Sequence, residues 1–235
     1  MRPRAFWLAS VSRFWLAVFA AFFALPLAAE EITFRADTMS GRAGSKEDMT
    51  RLAGNAQVFT ESIEIRADSI ELSGKEFRYV AAAGNIKGSY KDSNLEFECQ
   101  ELNYDRESKV VTLSGDAKII DKDNEVTAAA QMIEYNSNSD IAVLQIEVKL
   151  EQKKNVCSSA YAVYRKKEQM LELNGSAKVV QDDDSFAAQS ITFNMDTEEI
   201  TMDGNVRGSV TDDGTKAPKK EEKEEAKEGG EEKNE

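Results

Sequence analysis

The chain has 235 residues, 41% of them hydrophobic and 31% charged, with a formal net charge of −13, three prolines and no histidine. Without histidine there is no Ser/His or Cys/His catalytic pair and no His-bearing zinc or iron site. The acidic balance argues against nucleic acid or an anionic membrane surface as a generic partner, because both attract net or clustered positive charge.

Residues 1–29, MRPRAFWLASVSRFWLAVFAAFFALPLAA, start with Arg2 and Arg4, run apolar and unbroken from Phe14 to Leu25, and end in small residues. This is the layout of a secretory signal peptide, with cleavage expected after Ala29. Leu27 stands where a smaller residue is preferred, which leaves an uncleaved inner-membrane anchor as the alternative. Arg13 opposes that alternative, since it would sit near the middle of a span, where a cation is costly. No cysteine follows the apolar run, so a lipoprotein route is not expected.

From residue 30 onward the chain repeats itself. Gly54-Asn55, Gly84-Asn85, Gly115-Asp116, Gly175-Ser176 and Gly204-Asn205 recur about every thirty residues, and LQIEVKL aligns with LSGDAKI, so Ile146-Glu147 occupies the missing place. A second register runs through Ala36-Asp37, Ala67-Asp68, Cys99-Gln100, Ala130-Gln131, Ala160-Tyr161 and Ala188-Gln189. Polar corners KDSN, DKDN, QKKN, DDD and TDDG, ending at Asn94, Asn124, Asn155, Asp184 and Gly214, form a third. Each period therefore holds short extended segments separated by turn residues.

Alternation within the segments has period two, the signature of strands. Two residues before the glycine stand Leu52, Ala82, Leu113, Leu144, Leu173 and Met202. Two after it come Ala56, Ile86, Ala117, Val148, Ala177 and Val206, and four after it Val58, Gly88, Ile119, Leu150, Val179 and Gly208. In the second register, three residues past the Ala position, come Met39, Ile70, Leu102, Ile133, Val163 and Ile191. All four columns stay apolar or small, as inward positions must. A flat stack cannot bury its apolar face alone, so the expected fold is all-β, an elongated twisted jelly roll or two-sheet sandwich of six repeats over residues 30–210. Residues 211–235 lack Leu, Ile, Val, Phe and Met beyond Thr211 and are expected to form a solvated, disordered tail.

Three residues past each glycine position come Gln57, Lys87, Lys118, Lys149, Lys178 and Arg207, which should point outward. The plain reading is a solubilising face; the sharper one is a cationic strip for an anionic group along Lys87, Lys118, Lys149, Lys178 and Arg207. The acidic corners DKDNE and QDDD fail the calcium-loop pattern, because Val126 and Met132 occupy its glycine and glutamate positions. They read as exposed turns, and no metal site is expected. Cys99 falls in the inward Ala column and Cys157 on the opposite facing, two repeats away, so a disulfide is not expected and Cys157 should be the more exposed thiol. Phe34, Phe97, Phe186, Tyr104, Tyr135 and Phe193 recur at fixed places in the second register and read as core.

The phrases RADSIEL…AAGNIKG and QMIEY…LQIEVKL, recurring behind a signal-type leader, resemble the OstA-type domain of LptA and of the amino-terminal part of LptD, and more distantly the periplasmic domain of LptC. The resemblance covers roughly Ile32 to Val210. It implies a periplasmic, non-enzymatic carrier or bridge that takes no cofactor and passes lipopolysaccharide, or a related glycolipid, from inner to outer membrane. Its acyl chains would ride in an apolar groove. The inward columns make the lining Ile70, Leu102, Ile133, Val163, Ile191, Leu113, Leu144, Leu173, Ala117, Val148, Ala177, Ile119, Leu150, Val179, Phe97 and Phe186. The resemblance also implies LptC-like and LptD-like membrane partners, or a head-to-tail homo-oligomer, joined through edge strands. A linear strand stack supplies the physical reason, because its ends leave backbone groups unpaired. The departures from the family pattern are the charged tail and the lost glycine at Ile146. The competing reading is a structural scaffold with a filled core and no lipid.

Overall fold

The computed structural model describes residues 31–42 and 49–211. The leader expected over residues 1–29 and the charged tail beyond Thr211 lie outside the described residues. The described chain is all-β. Two short strands, β1 (Thr33–Arg35) and β2 (Thr38–Arg42), precede β3 (Met49–Phe59), β4 (Ile63–Ser73), β5 (Tyr79–Tyr90), β6 (Leu95–Asp105) and β7 (Val110–Asp121). There follow β8 (Val126–Asn136), β9 (Ile141–Gln152), β10 (Asn155–Arg165), β11 (Met170–Gln181), β12 (Asp184–Asn194) and the short β13 (Ile200–Asp203) and β14 (Arg207–Ser209).

Consecutive strands from β3 to β12 pair antiparallel in a single sheet; β1 and β2 both pair with β3, and β13 and β14 both pair with β12. The two facing layers expected from the sequence are thus two halves of one sheet. Hydrogen bonds show that the sheet folds over. In a flat sheet Ser93, just before β6, and Lys166, just after β10, would sit at opposite ends of 11-residue strands, roughly 30 Å apart at about 3.3 Å per residue. Instead Lys166 Nζ donates to the Ser93 carbonyl at 2.6 Å.

The fold-over happens at the Gly-Asn positions. Gly54-Asn55, Gly84-Asn85, Gly115-Asp116 and Gly175-Ser176 interrupt their strands as bulges, for example where Ala53 and Ala56 face Ser69 and Ala67, and Gly204-Asn205 separates β13 from β14. Both residues of every pair are left-handed, with φ of 75° and 47° at Gly54 and Asn55 and 76° and 49° at Gly115 and Asp116. Glycine, asparagine and aspartate are the residues that tolerate this region. Ile146 and Glu147, where the motif is lost, adopt the same conformation, with φ of 66° and 56°. Ile146-Glu147 therefore occupies the place of the Gly-Asn pair in this strand.

The second register packs onto the first. Asp37, Asp68, Gln100 and Gln189 lie over Gly54, Gly84, Gly115 and Gly204, so near that a Cβ at Gly84 would come within 2.4 Å of the Asp68 carboxylate. Asn55 Nδ2 donates to Asp37 Oδ2 at 2.9 Å and Asn85 Nδ2 to Asp68 Oδ2 at 2.8 Å. Turn chemistry at one position and a polar side chain one strand away are thus two parts of one corner.

Strand β10 departs from the expected register. Val148 faces Ser159 and the break in pairing falls opposite Ala160, so Ser159, not Ala160, continues the small inward column. Every later inward position in that strand shifts by one: Ala162 and Tyr164 are buried, while Val163 points out and is half-buried. Cys157 then faces inward and is fully buried, correcting the expectation of an exposed thiol; Cys99 and Cys157 are both free and buried. The aromatic column held the signal, because Tyr164 continues Tyr104 and Tyr135 only when the strand is aligned on Ser159.

A β-branched residue held at positive φ costs on the order of 1 kcal/mol that glycine does not pay. Ile146 is 59% exposed and loses little packing on removal. Ile146→Gly should therefore raise stability by about 0.5–1 kcal/mol, seen as an upward shift of the urea midpoint with an unchanged slope.

Candidate functional site

The enclosed face of the sheet is apolar from β3 to β12. Of the residues expected to line a groove, Ile70, Leu102, Ile133, Ile191, Leu113, Leu144, Leu173, Ala117, Val148, Ala177, Ile119, Leu150, Val179 and Phe97 are all buried. Phe186, near the carboxy-terminal end, and Val163, for the register reason above, are half-buried. Volumes are matched across strands. Gly88 lies opposite Phe97 and Gly208 opposite Phe186, and a Cβ at Gly88 would come within 2.2 Å of the Phe97 ring. Tyr90, Phe97, Tyr104 and Tyr135 cluster inside, with the Tyr90 and Tyr135 rings 5.4 Å apart. The interior is packed by its own side chains.

The apolar columns open toward solvent at both ends of the sheet. Phe34 and Met39, on β1 and β2, are 38% and 60% exposed, and Val206 and Val210 at the far end are 53% and 70% exposed. Expected inward positions at Met39 and Val206 are thus uncovered because no further described strand packs beyond them. Phe34 joins them, whereas Phe97, Tyr104, Tyr135 and Phe193 are core as expected.

Opposite the bulges, turns from the two halves meet in a polar cluster that pattern reading missed. Asp121 is 1% exposed, contrary to the exposed turn expected of the DKDN corner. Its carboxylate accepts from Lys166 Nζ at 2.8 Å, Tyr164 Oη at 3.1 Å, Asn124 Nδ2 at 2.8 Å and the Asp123 and Asn124 backbone N–H groups at 3.1 and 3.3 Å. Tyr135 donates to Asp140, and Ser93 Oγ donates to the same carboxylate at 3.1 Å. Burial pushes the Asp140 carboxyl up, but the hydrogen bonds from Tyr135, Lys167 and Ser93 outweigh it and hold the group below its ordinary range. Burial raises the Tyr135 and Tyr164 hydroxyls, and it pushes both Cys99 and Cys157 up to about 12, leaving them unreactive thiols. The bonds from Lys166, Tyr164 and Ser93 join residues 43 to 47 apart in the chain, so no local motif announces them.

On the outer face, cross-strand register sets the basic column into one continuous row. Arg35 faces Gln57, which faces Arg66, which faces Lys87. Lys87 and Lys118 flank Glu98; Lys118 and Lys149 flank Ala129; Lys149 and Lys178 flank Ser158; Lys178 and Arg207 flank Ala187. Acidic side chains neutralise much of it: Glu64 pairs with Arg66 at 2.6 Å, Glu98 with Lys87 at 3.0 Å and Glu151 with Lys149 at 2.5 Å. Hydrogen bonding by Lys149, and more weakly the charge of Lys118, lowers the Glu151 carboxyl. The strip read from sequence is therefore outward as expected but largely compensated.

A single antiparallel sheet folded over its own apolar face, with uncovered strands at both ends, defines a strand-array protein whose interior and edges are its candidate binding surfaces. The family model described as LptA/(LptD N-terminal domain) LPS transport protein matches residues 33–169 and 141–199. The chain belongs to that family. A solved structure, LptH, the LptA homologous periplasmic component of the lipopolysaccharide transport device of Pseudomonas aeruginosa, is similar at 12% identity over 77% of this chain and 96% of LptH, with a TM-score of 0.24. None of the curated proteins matches this chain.

Replacing Lys166 by methionine would leave the Asp121 carboxylate buried without its cation, a change that costs about 3–5 kcal/mol in comparable sites. Urea unfolding should show a loss of that order, partly restored in Asp121→Asn/Lys166→Met. A second expectation concerns acid. Asp105 is held well below the usual carboxylate range, first by its hydrogen bond from Arg78. Because its folded value lies below the unfolded one, its stabilisation is complete above about pH 4 and is lost as pH falls through the folded value. Asp105→Asn should accordingly flatten the acid limb of a stability-versus-pH curve.

Proposed function

We propose that this protein is a periplasmic, non-enzymatic carrier or bridge for lipopolysaccharide or a related glycolipid, holding acyl chains against the inner face of the folded sheet and passing them along it. The observation that carries the reading is the uninterrupted apolar face of a single sheet, running from Leu52 to Phe193, in a member of the LPS transport family. Each sheltered methylene contributes about 0.8 kcal/mol, so several acyl chains supply ample energy to hold two sheet halves slightly apart. LptC-like and LptD-like proteins would meet the chain at its uncovered ends, where Phe34, Met39 and Val206 leave apolar surface beside the edge strands.

A second reading is favoured by a specific observation. Leu113, Leu144, Leu173 and Leu150 are 0% exposed, as in a filled core, which fits a structural β-scaffold without a lipid ligand. Organic extraction separates the two. Protein isolated from the periplasm of a lipopolysaccharide-producing host should release glycolipid in near-equimolar amount by mass spectrometry under the carrier reading. Lipid-free protein, still folded by circular dichroism and unable to take up added lipopolysaccharide, would establish the scaffold instead.

A further inference from the structure

Ion pairs compensate the outward basic row at Arg66, Lys87 and Lys149. Glu151 is the last acid in the neighbouring row; beyond it, that row reads Val156, Val180, Ser185 and Ser209, each directly opposite the next. Among the described residues, Lys178 and Arg207 have no ion-pair partner. They stand on either side of Ala187, and with it, Ser176, Gln189 and Asn205 they line a depression of about 350 Å³. Arg207 lies on β14, whose other long side is unpaired among the described residues. A strand added there in the sheet's own register would set one side chain directly opposite Arg207, as Glu98 is set opposite Lys87.

The chain's own amino-terminal end fails that position. A second copy continuing the sheet would bring β1 against β14. Phe34 would then meet Gly208, repeating the Phe97–Gly88 fit, and Met39 would meet Met202. In the same register Arg35 would fall opposite Arg207. Like charges directly opposite destabilise a strand pair, and opposite charges stabilise it by a similar amount.

We infer that the carboxy-terminal edge is a charge-selective docking site: Arg207, reinforced by Lys178, selects a partner edge strand that presents a carboxylate in this row and disfavours the chain's own amino-terminal strand, which presents Arg35. The inference uses the end-to-end assembly invoked above but does not depend on lipid being carried. Apolar complementarity brings two such ends together, and the charge in this one row decides which ends stay.

Charge exchange on the full chain tests it, with the altered amino-terminal end serving as the acidic partner strand. Self-association of wild type, Arg35→Glu, Arg207→Glu and the double variant would be measured by analytical ultracentrifugation at about 50 mM and about 500 mM salt. Each single variant should dimerise at least about fivefold more tightly than wild type at low salt, with the gain shrinking at high salt. The double variant, which restores like charge as Glu against Glu, should return to the wild-type level. Four indistinguishable constants, or a double variant as tight as the singles, would overturn the inference. Glycolipid extraction from the same preparations reads the carrier proposal separately.

Discussion

The structure depends on a backbone constraint repeated through the chain: two consecutive left-handed residues in the middle of a strand. A strand of 11 or 12 residues that ran straight would present one apolar face with nothing to cover it. The αL pair bends each strand at the same place, and because neighbouring bulges are in register the whole sheet folds along one line. Burial of the inward columns, the approach of distant turns and the polar cluster around Asp121 all follow from that fold line. Ile146 shows how strongly the array imposes it, since a β-branched residue adopts φ of 66° there to keep in step with its neighbours.

The interior and the margin opposite the fold line do different work. Inside, size complementarity governs between neighbouring strands, with glycine set against phenylalanine and alanine against alanine. At the margin, polar chemistry governs. A buried carboxylate satisfied by a lysine, a tyrosine, an asparagine and two backbone N–H groups is stable only while all its donors stay in place. That makes the margin near β7, β8 and β10 the most specifically fastened part of the closure, whereas the ends of the sheet keep their apolar side chains uncovered. This contrast sets where parting of the two halves is resisted and where it is not.

The outer face adds a third level. Strand register turns a basic residue recurring once per repeat into a continuous row, and the presence or absence of acids one row away decides whether any part of it acts as a charge. The middle is an ordinary salt-bridged surface of the kind that contributes little to stability. The carboxy-terminal end is not, and the difference comes from a handful of serine and valine positions that are individually unremarkable in the sequence.

Sequence alone determined the strand character, the period, the bends and most inward residues, because strand alternation and the tolerance of Gly, Asn and Asp for positive φ are local properties written in adjacent residues. It placed the lost motif at Ile146-Glu147 correctly. It slipped by one residue in β10, where Ala160 imitates the small column that Ser159 continues, and so misfaced Val163 and Cys157. Tertiary structure alone decided that the two layers are one sheet, that Asp121 is buried against Lys166, and that Lys178 and Arg207 have no ion-pair partner among the described residues. Each of those facts joins residues on different strands or distant turns, and their proximity exists only once the sheet has folded over.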